Sequence, residues 1–327
     1  MYRSLKDVFL KANWVKKTKI RLLIEKMKQM RNRDSIYVNA TLANFDKILQ
    51  KRLDEKLDFY FRKRFPLPYS DSNLTFIHTN DGHRVFLDNR EPFMTMHLLE
   101  HGEWETPLRR ELKRELNKGA TFIDIGANIG LHTLYASSLV GIDGKVLALE
   151  PHPVTRELLR KNLEINGLLD RVTISPCAVS DKDDELVSFE YFSEHPGMSG
   201  LKVSQEIINK FNGTIEKVDA TTITLDTLVE RLGVIPDVVK IDVEGFEYFV
   251  LQGCVKTIEK YKNIRFFMEY SKELSESVIE PGIGRKIGHF FQIKGFKCYR
   301  IEECGLKKLS CEDFYLENGA DYIFSRS

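Results

Sequence analysis

Two acidic strand ends flank a glycine turn. Residues 121–130 read Thr-Phe-Ile-Asp-Ile-Gly-Ala-Asn-Ile-Gly, and residues 145–150 read Lys-Val-Leu-Ala-Leu-Glu. A short apolar strand ending in a glycine turn that feeds a helix, with a carboxylate closing the next strand, holds a nucleoside at the carboxyl edge of a parallel sheet. A dinucleotide site needs Gly-x-Gly-x-x-Gly, whose middle glycine lets backbone approach the pyrophosphate. Here Asn128 takes that position and Asp124 enters the turn. A carboxylate there repels pyrophosphate but can face the amino group and sulfonium of S-adenosylmethionine. Glu150 suits either nucleoside, because a carboxylate accepting both ribose hydroxyls makes charge-assisted bonds of roughly 1.5–3 kcal/mol each. The plain alternative is a generic βαβ turn in which Asp124 merely caps or tightens the backbone.

A second candidate lies downstream, where residues 240–245 read Lys-Ile-Asp-Val-Glu-Gly. Asp242 closes an expected strand just ahead of a helix, which aims it at the cleft where methyl donor and acceptor meet. Aligning acceptor oxygen, methyl and sulfur can supply about 7–11 kcal/mol of rate acceleration. A hydroxyl acceptor must also lose a proton. A free aspartate, with a pKa of about 3.9, can take that proton only as the transfer proceeds, unless burial makes it more basic. Three roles stay open for Asp242: base, Mg²⁺ ligand together with Glu269, or cap of the following helix. Lys240 shares its side of the strand at i+2 and would keep it ionised. Glu244 and Glu247 read equally well as first-turn residues favoured by the helix dipole. His195 and Ser199, in Glu-His-Pro-Gly-Met-Ser-Gly, sit where substrate loops are expected, and an imidazole with an ordinary pKa near 6.5 can act as a base. Trp104 and Glu105, ahead of the first cofactor strand, are candidates to close over the site.

These residues need a sheet to hold them. Strands are expected at 121–125, 145–150, 172–175, 238–242, 263–268, 296–301 and 321–325, with helices at 129–139, 155–166, 246–260 and 284–294, an alternation that specifies a doubly wound α/β sheet. The stretch from 186 to 224 lacks helical periodicity and is expected to carry extra strands and a mobile loop. Upstream, two β-like runs around Thr-Asn-Asp-Gly predict a hairpin, and Pro107–Asn117 a charged helix. The chain thus divides into a basic helical extension (1–66), a hairpin with lead-in helix (67–119) and the main domain (120–327), with Phe-Pro-Leu-Pro at 65–68 marking the first boundary.

Net charge is +1 over 327 residues, yet residues 1–66 hold 18 Lys/Arg against 7 Asp/Glu, a net +11 that leaves −10 for the rest. Ile20, Leu23, Ile24 and Met27 form an apolar stripe among Lys19, Arg21, Lys26, Lys28 and Arg31. That helix can cover its own core, meet a protein partner, or lie on an anionic membrane. No nucleic-acid motif accompanies the charge, so a nucleic-acid partner is not expected. Five cysteines without a Cys-x-x-Cys read as free thiols. With no apolar run near the roughly 18 residues of a membrane span and no leader-like segment, a cytoplasmic protein is expected.

The motifs Phe-Ile-Asp-Ile-Gly-Ala-Asn-Ile-Gly, Leu-Glu-Pro-His-Pro, Cys-Ala-Val-Ser-Asp, Thr-Leu-Asp-Thr-Leu and Lys-Ile-Asp-Val-Glu-Gly-Phe-Glu, in this order and spacing, resemble the FkbM family of S-adenosylmethionine-dependent methyltransferases. The resemblance covers about residues 100–270 well and leaves 1–66 without a counterpart. It implies a class I methyltransferase fold, Rossmann-like, with a seven-stranded sheet whose last strand is antiparallel, and O-methylation of a sugar, glycan or polyketide hydroxyl. It places Asp124, Gly126, Ala127, Asn128 and Gly130 around the methionine part of the cofactor, Glu150 on the ribose, Pro151 and His152 beside the adenosine, and Cys177 and Ala178 against the adenine. His132, in the first turn of the following helix, is either a further cofactor contact or structural.

Overall fold

A computed structural model describes residues 74–192, 215–316 and 319–326. The basic extension, with its amphipathic stripe, lies outside the described residues, as do His195 and Ser199. Residues 73–327 form one compact unit. It opens with the expected hairpin, β1 (Leu74–His78) and β2 (Arg84–Asp88), paired antiparallel with Phe76 opposite Phe86. Two helices follow, α1 (Pro92–His101) and α2 (Thr106–Glu115). The sequence reading contained the second and missed the first, because Phe-Met-Thr-Met-His-Leu-Leu is apolar nearly all round and shows little helical periodicity.

The main domain then alternates. β3 (Thr121–Ile125), α3 (Leu131–Val140), β4 (Lys145–Leu149), α4 (Pro153–Ile165) and β5 (Val172–Ser175) come first. After them β6 (Ala178–Val179), β7 (Leu186–Phe192) and β8 (Ile215–Ile223) form a small separate sheet ordered β6-β8-β7. The last third contains α5 (Leu225–Leu232), β9 (Val238–Ile241), α6 (Glu247–Gln252), α7 (Val255–Lys260), β10 (Arg265–Tyr270), α8 (Lys272–Val278), α9 (Ile283–Ile293), β11 (Lys297–Glu302), β12 (Gly305–Leu309) and β13 (Ala320–Ser325).

The central sheet runs β12-β11-β13-β10-β9-β3-β4-β5. It contains the seven expected strands, with β13 antiparallel to both neighbours, and adds an eighth, β12, as the outer arm of a hairpin with β11. This is the sheet that the sequence resemblance implies, with its antiparallel strand in place. Strand order reverses between β3 and β9, the crevice in which open α/β sheets bind ligands at their carboxyl ends. β3 is buried at every residue, which is why its sequence is a continuous apolar run with one carboxylate rather than an alternation. On one side the sheet covers an aromatic core in which Phe291 stacks on Phe324 at 3.8 Å and Phe266, Phe296 and Phe314 pack edge-on around them.

The helix expected over 246–260 is two helices. A Cβ on Gly253 would lie 2.0 Å from the Ser180 carbonyl oxygen, so the backbone of this turn is pressed against the loop after β6. Asp226 then caps the second half, its carboxylate accepting the Lys256 and Thr257 N–H groups at 3.0 and 2.6 Å.

The hairpin is fastened to the domain by two asparagines one turn apart, Asn162 within α4 and Asn166 at its C-terminal cap. Asn162 accepts the Phe86 N–H (2.7 Å) and donates to the Phe86 and Ile129 carbonyls (3.2 and 2.9 Å). Asn166 does the same for Arg84, at 2.9 and 2.6 Å. Their side chains thus act as a substitute strand for the open edge of β2. No helix among the described residues is long and apolar enough to cross a membrane.

Candidate active site

At the carboxyl ends of β3, β4 and β9 lies a cleft of about 160 Å³ that opens to solvent. Of the residues singled out in the sequence it is lined by Gly126, Asn128, Glu150, Pro151, His152, Cys177, Ala178, Asp242 and Glu244. Asp124, Ala127, Gly130 and Lys240 stand behind that surface.

The turn after β3 is shaped by backbone. Gly126 has φ 79° and a Cβ there would fall 1.8 Å from the Asp242 carbonyl oxygen, so glycine is required by the approach of two strand ends and not only by a ligand. Gly130, φ 91°, caps α3, where a Cβ would meet Leu159. Between them Asn128 adopts φ 49°, a left-handed conformation that asparagine tolerates better than most residues.

Glu150 is the hinge of the cleft. One of its oxygens accepts the Asn128 N–H and the other the His152 N–H, both at 2.9 Å. Burial pushes the carboxyl up to about 7, against the pull of those two backbone bonds and of Arg156. Each oxygen keeps a lone pair for a further donor. His152 caps α4, its Nδ1 accepting the Thr155 N–H at 3.3 Å, while burial and the cations Arg156 and Arg90 hold its imidazole down at about 4. It is therefore a neutral wall at physiological pH.

Asp124 departs from the expected cofactor-facing position. It is fully buried, its Oδ2 accepting from the Thr133 hydroxyl at 2.6 Å, and Oδ1, which has no hydrogen-bond partner, sits 3.9 Å from the Lys240 ammonium. A strand's interior position, not a turn's, decides where it points. Lys240 is buried as well, and its ammonium pairs with Asp242 at 2.8 Å. Burial alone would lower the Lys240 pKa, but Asp242, Asp124 and Glu105 together outweigh it and raise it. Asp242 is the exposed end of this arrangement, with 24% of its side chain open to the cleft. His132 is held away from the cleft, Nε2 lying 2.7 Å from Glu105 Oε2. Trp104 and Glu105 likewise do not line the cleft. Glu247 accepts the Gly245 N–H at 3.0 Å inside the turn, and burial raises its carboxyl to about 7.

The small sheet supplies residues that motif reading missed. Val187 and Phe189 from β7, Thr222 from β8, where it pairs with Ala178, and Phe246 also line the cleft. Alternation within β7 was the available signal, since Val187 and Phe189 share one face of the strand. Among the described residues, no group of three or more His, Cys, Asp or Glu side chains is arranged to hold a metal ion.

The arrangement offers a carboxylate with free lone pairs beside an apolar slot, and a second carboxylate backed by a buried ammonium. The family described as "Methyltransferase FkbM domain" matches residues 124–296. Methyltransferase sdnD of Sordaria araneosa is 33% identical over 206 residues, 54% of this chain and 74% of that protein. The 31-O-demethyl-FK506 methyltransferase FkbM of Streptomyces tacrolimicus is 29% identical over 205 residues, 55% of this chain and 72% of its own length. Among solved structures, an S-adenosylmethionine-dependent O-methyltransferase of Thermotoga maritima is 16% identical, covers 76% of each chain and has a TM-score of 0.38.

Proposed function

We propose, from the premise that this chain belongs to the FkbM family of S-adenosylmethionine-dependent methyltransferases, that it methylates a hydroxyl of a sugar, glycan or glycan precursor. The observation that carries the reading is the Asp242 carboxylate at the cleft floor, a quarter exposed, one oxygen fixed on Lys240 at 2.8 Å and its backbone packed against Gly126.

The residues present suit the cofactor. Glu150, with a lone pair left on each oxygen, would take the ribose hydroxyls. The apolar faces of Cys177, Ala178, Val179 and Phe189 would take the purine, with Pro151 and the neutral His152 beside it. Gly126 and Asn128 would border the methionine part, and Asp124 and Lys240 would set the charge beneath it. Bound S-adenosylmethionine supplies the electrophilic methyl group. Asp242 accepts the acceptor's proton as the new bond forms, and Lys240 prevents that carboxylate from swinging away.

An oxygen acceptor draws support from the relative named for 31-O-demethyl-FK506. That name favours a second reading as well, in which the hydroxyl belongs to a small secondary metabolite. Purified full-length protein with methyl-labelled S-adenosylmethionine, offered nucleotide sugars, oligosaccharides and polyketide alcohols in parallel, separates the two. Label on a sugar oxygen that vanishes in Asp242→Asn, with cofactor affinity kept within a few-fold, is the expected result. Label only on polyketide alcohols selects the second reading, and undiminished turnover by Asp242→Asn removes the proton-acceptor role. Mg²⁺ held by Asp242 and Glu269 would instead make turnover sensitive to EDTA.

A further inference from the structure

Helix α1 carries two histidines that the methyl-transfer site does not use. Met94, Thr95, Leu98 and Leu99 turn inward and are buried, which leaves Phe93, His97 and His101, each four residues from the next, along another face. The His97 and His101 rings stack, with centroids 4.4 Å apart and planes 27° from parallel. Trp104, just past the helix, meets His97 edge-on at 5.1 Å and Phe93 at 6.2 Å. None of these four residues lines the cleft.

Each imidazole has one nitrogen committed to backbone. His101 Nδ1 lies 3.1 Å from the His97 carbonyl oxygen, and because a carbonyl can only accept, the proton belongs on Nδ1 and Nε2 keeps its lone pair. A ring nitrogen of His97 is likewise hydrogen-bonded to the Glu103 backbone. This is how metal-ligating histidines are held, one ring N–H fixed by a carbonyl and the other nitrogen free to bind. The run His97-Leu98-Leu99-Glu100-His101 also has the His-x-x-Glu-His spacing of helical zinc sites. A single histidine in the last turn would suffice to complement the helix C-terminus. That role gives no reason for a second imidazole stacked one turn back.

We propose that His97 and His101 form a binding site for a late first-row divalent transition-metal ion, of the class Ni²⁺, Cu²⁺ or Zn²⁺, with one imidazole nitrogen from each ring and water in the remaining positions. Metal–nitrogen bonds of about 2.0–2.1 Å need the two ligating nitrogens roughly 3 Å apart. Rings already stacked at 4.4 Å reach that by small rotations about χ2, a soft torsion for histidine. Imidazole selects these ions over Mg²⁺ and Ca²⁺, which take oxygen ligands. Catalytic zinc sites have three protein ligands, and no such group of three occurs among the described residues. The site is therefore assigned to binding and not to hydrolysis.

Trp104, in contact with His97, reports on the site directly. In untagged full-length protein carrying Trp14→Phe, Trp104 is the sole tryptophan, and Ni²⁺ should quench its fluorescence saturably with one ion per chain. Zn²⁺, which does not quench, should restore the signal by displacement, and a hundredfold excess of Mg²⁺ should leave it quenched. His101→Gln should raise the Ni²⁺ midpoint about tenfold or more, the loss expected when one of two ligands is removed. His101 is exposed, so this variant keeps the fold and decides the question, and His97→Gln should act alike. Quenching that does not saturate, that Mg²⁺ reverses, or that keeps its midpoint in His101→Gln overturns the proposal. Because the pair lies outside the cleft, either result leaves the methyl-transfer reading where it stands.

Discussion

Glu150 carries two duties that conflict. Its oxygens hold the Asn128 and His152 backbones, which shapes the cleft, and they are also the natural acceptors for a ribose. Because burial raises its carboxyl to about 7, only part of the population is ionised at neutral pH, and cofactor binding that uses the charged form should strengthen as pH rises through 7. Glu150→Gln turns one acceptor into a donor facing a backbone N–H. Titration calorimetry with S-adenosylmethionine should show affinity weakened roughly 10- to 100-fold, for charged hydrogen bonds of about 1.5–3 kcal/mol, and no longer dependent on pH between 6 and 8. Retained pH dependence in that variant would assign the effect to another group. At this scale the edge of the cleft was legible: Gly126, Asn128 and Glu150, which line it, announce themselves by type and spacing. Asp124 was not, because a motif gives position along the chain while the β-pleat decides on which side of the strand a carboxylate falls. His132 and Glu105 were missed as a pair for a related reason, being 27 residues apart and joined only in space.

At the scale of elements, periodicity found seven of the eight strands of the central sheet and the helices α2, α3, α4 and α9 within a residue or two, missed β12 and the short helices α5 and α8, and failed where tertiary contact overrules it. The break at Gly253 comes from the Ser180 carbonyl, and α1 has no polar face to mark it. The attachment of the hairpin was equally invisible, since nothing in Lys-Asn-Leu-Glu-Ile-Asn distinguishes two structural asparagines from two solvated ones. Asn162 is fully buried and satisfies three backbone groups, one of them the Ile129 carbonyl in the glycine turn, so its loss leaves buried polar atoms unpaired. Asn162→Ala should cost about 2–4 kcal/mol, the range for orphaning two or three buried groups at about 1 kcal/mol or more each. Asn166→Ala, less buried, should cost less. Hydrogen exchange at the Phe86 amide is the direct readout: it should accelerate in Asn162→Ala far more than exchange in β3. Equal acceleration in both would mean that the hairpin does not open separately from the sheet.

Over the whole molecule, the carboxyl ends of the central strands gather more negative charge than Lys240 neutralises. Glu150 and Glu247 are raised to about 7 by burial, and Asp321 to about 8 by burial and by Glu105 and Asp242. A carboxyl whose folded pKa exceeds its unfolded value stabilises the fold fully below the unfolded value, near 4.5, and loses that contribution as pH rises through the folded value. For Glu150 and Glu247 the window is thus about pH 4.5 to 7, with an upper bound of roughly 3 kcal/mol each at 1.36 kcal/mol per unit. Glu105, lowered to about 2, works in the opposite sense: its stabilisation is present above the ordinary glutamate value and disappears as pH falls toward 2. The sheet edge is therefore built to be most stable in mild acid without cofactor. Urea midpoints of the cofactor-free protein should decline from pH 5.5 to pH 8, and saturating S-adenosylmethionine, whose sulfonium and ammonium bring positive charge to the cleft, should flatten the decline by stabilising most at pH 8. A midpoint that is constant or rises over that range would show that the excess negative charge is already compensated within the protein, and the cofactor's charge would then have no special part in holding the strand ends together.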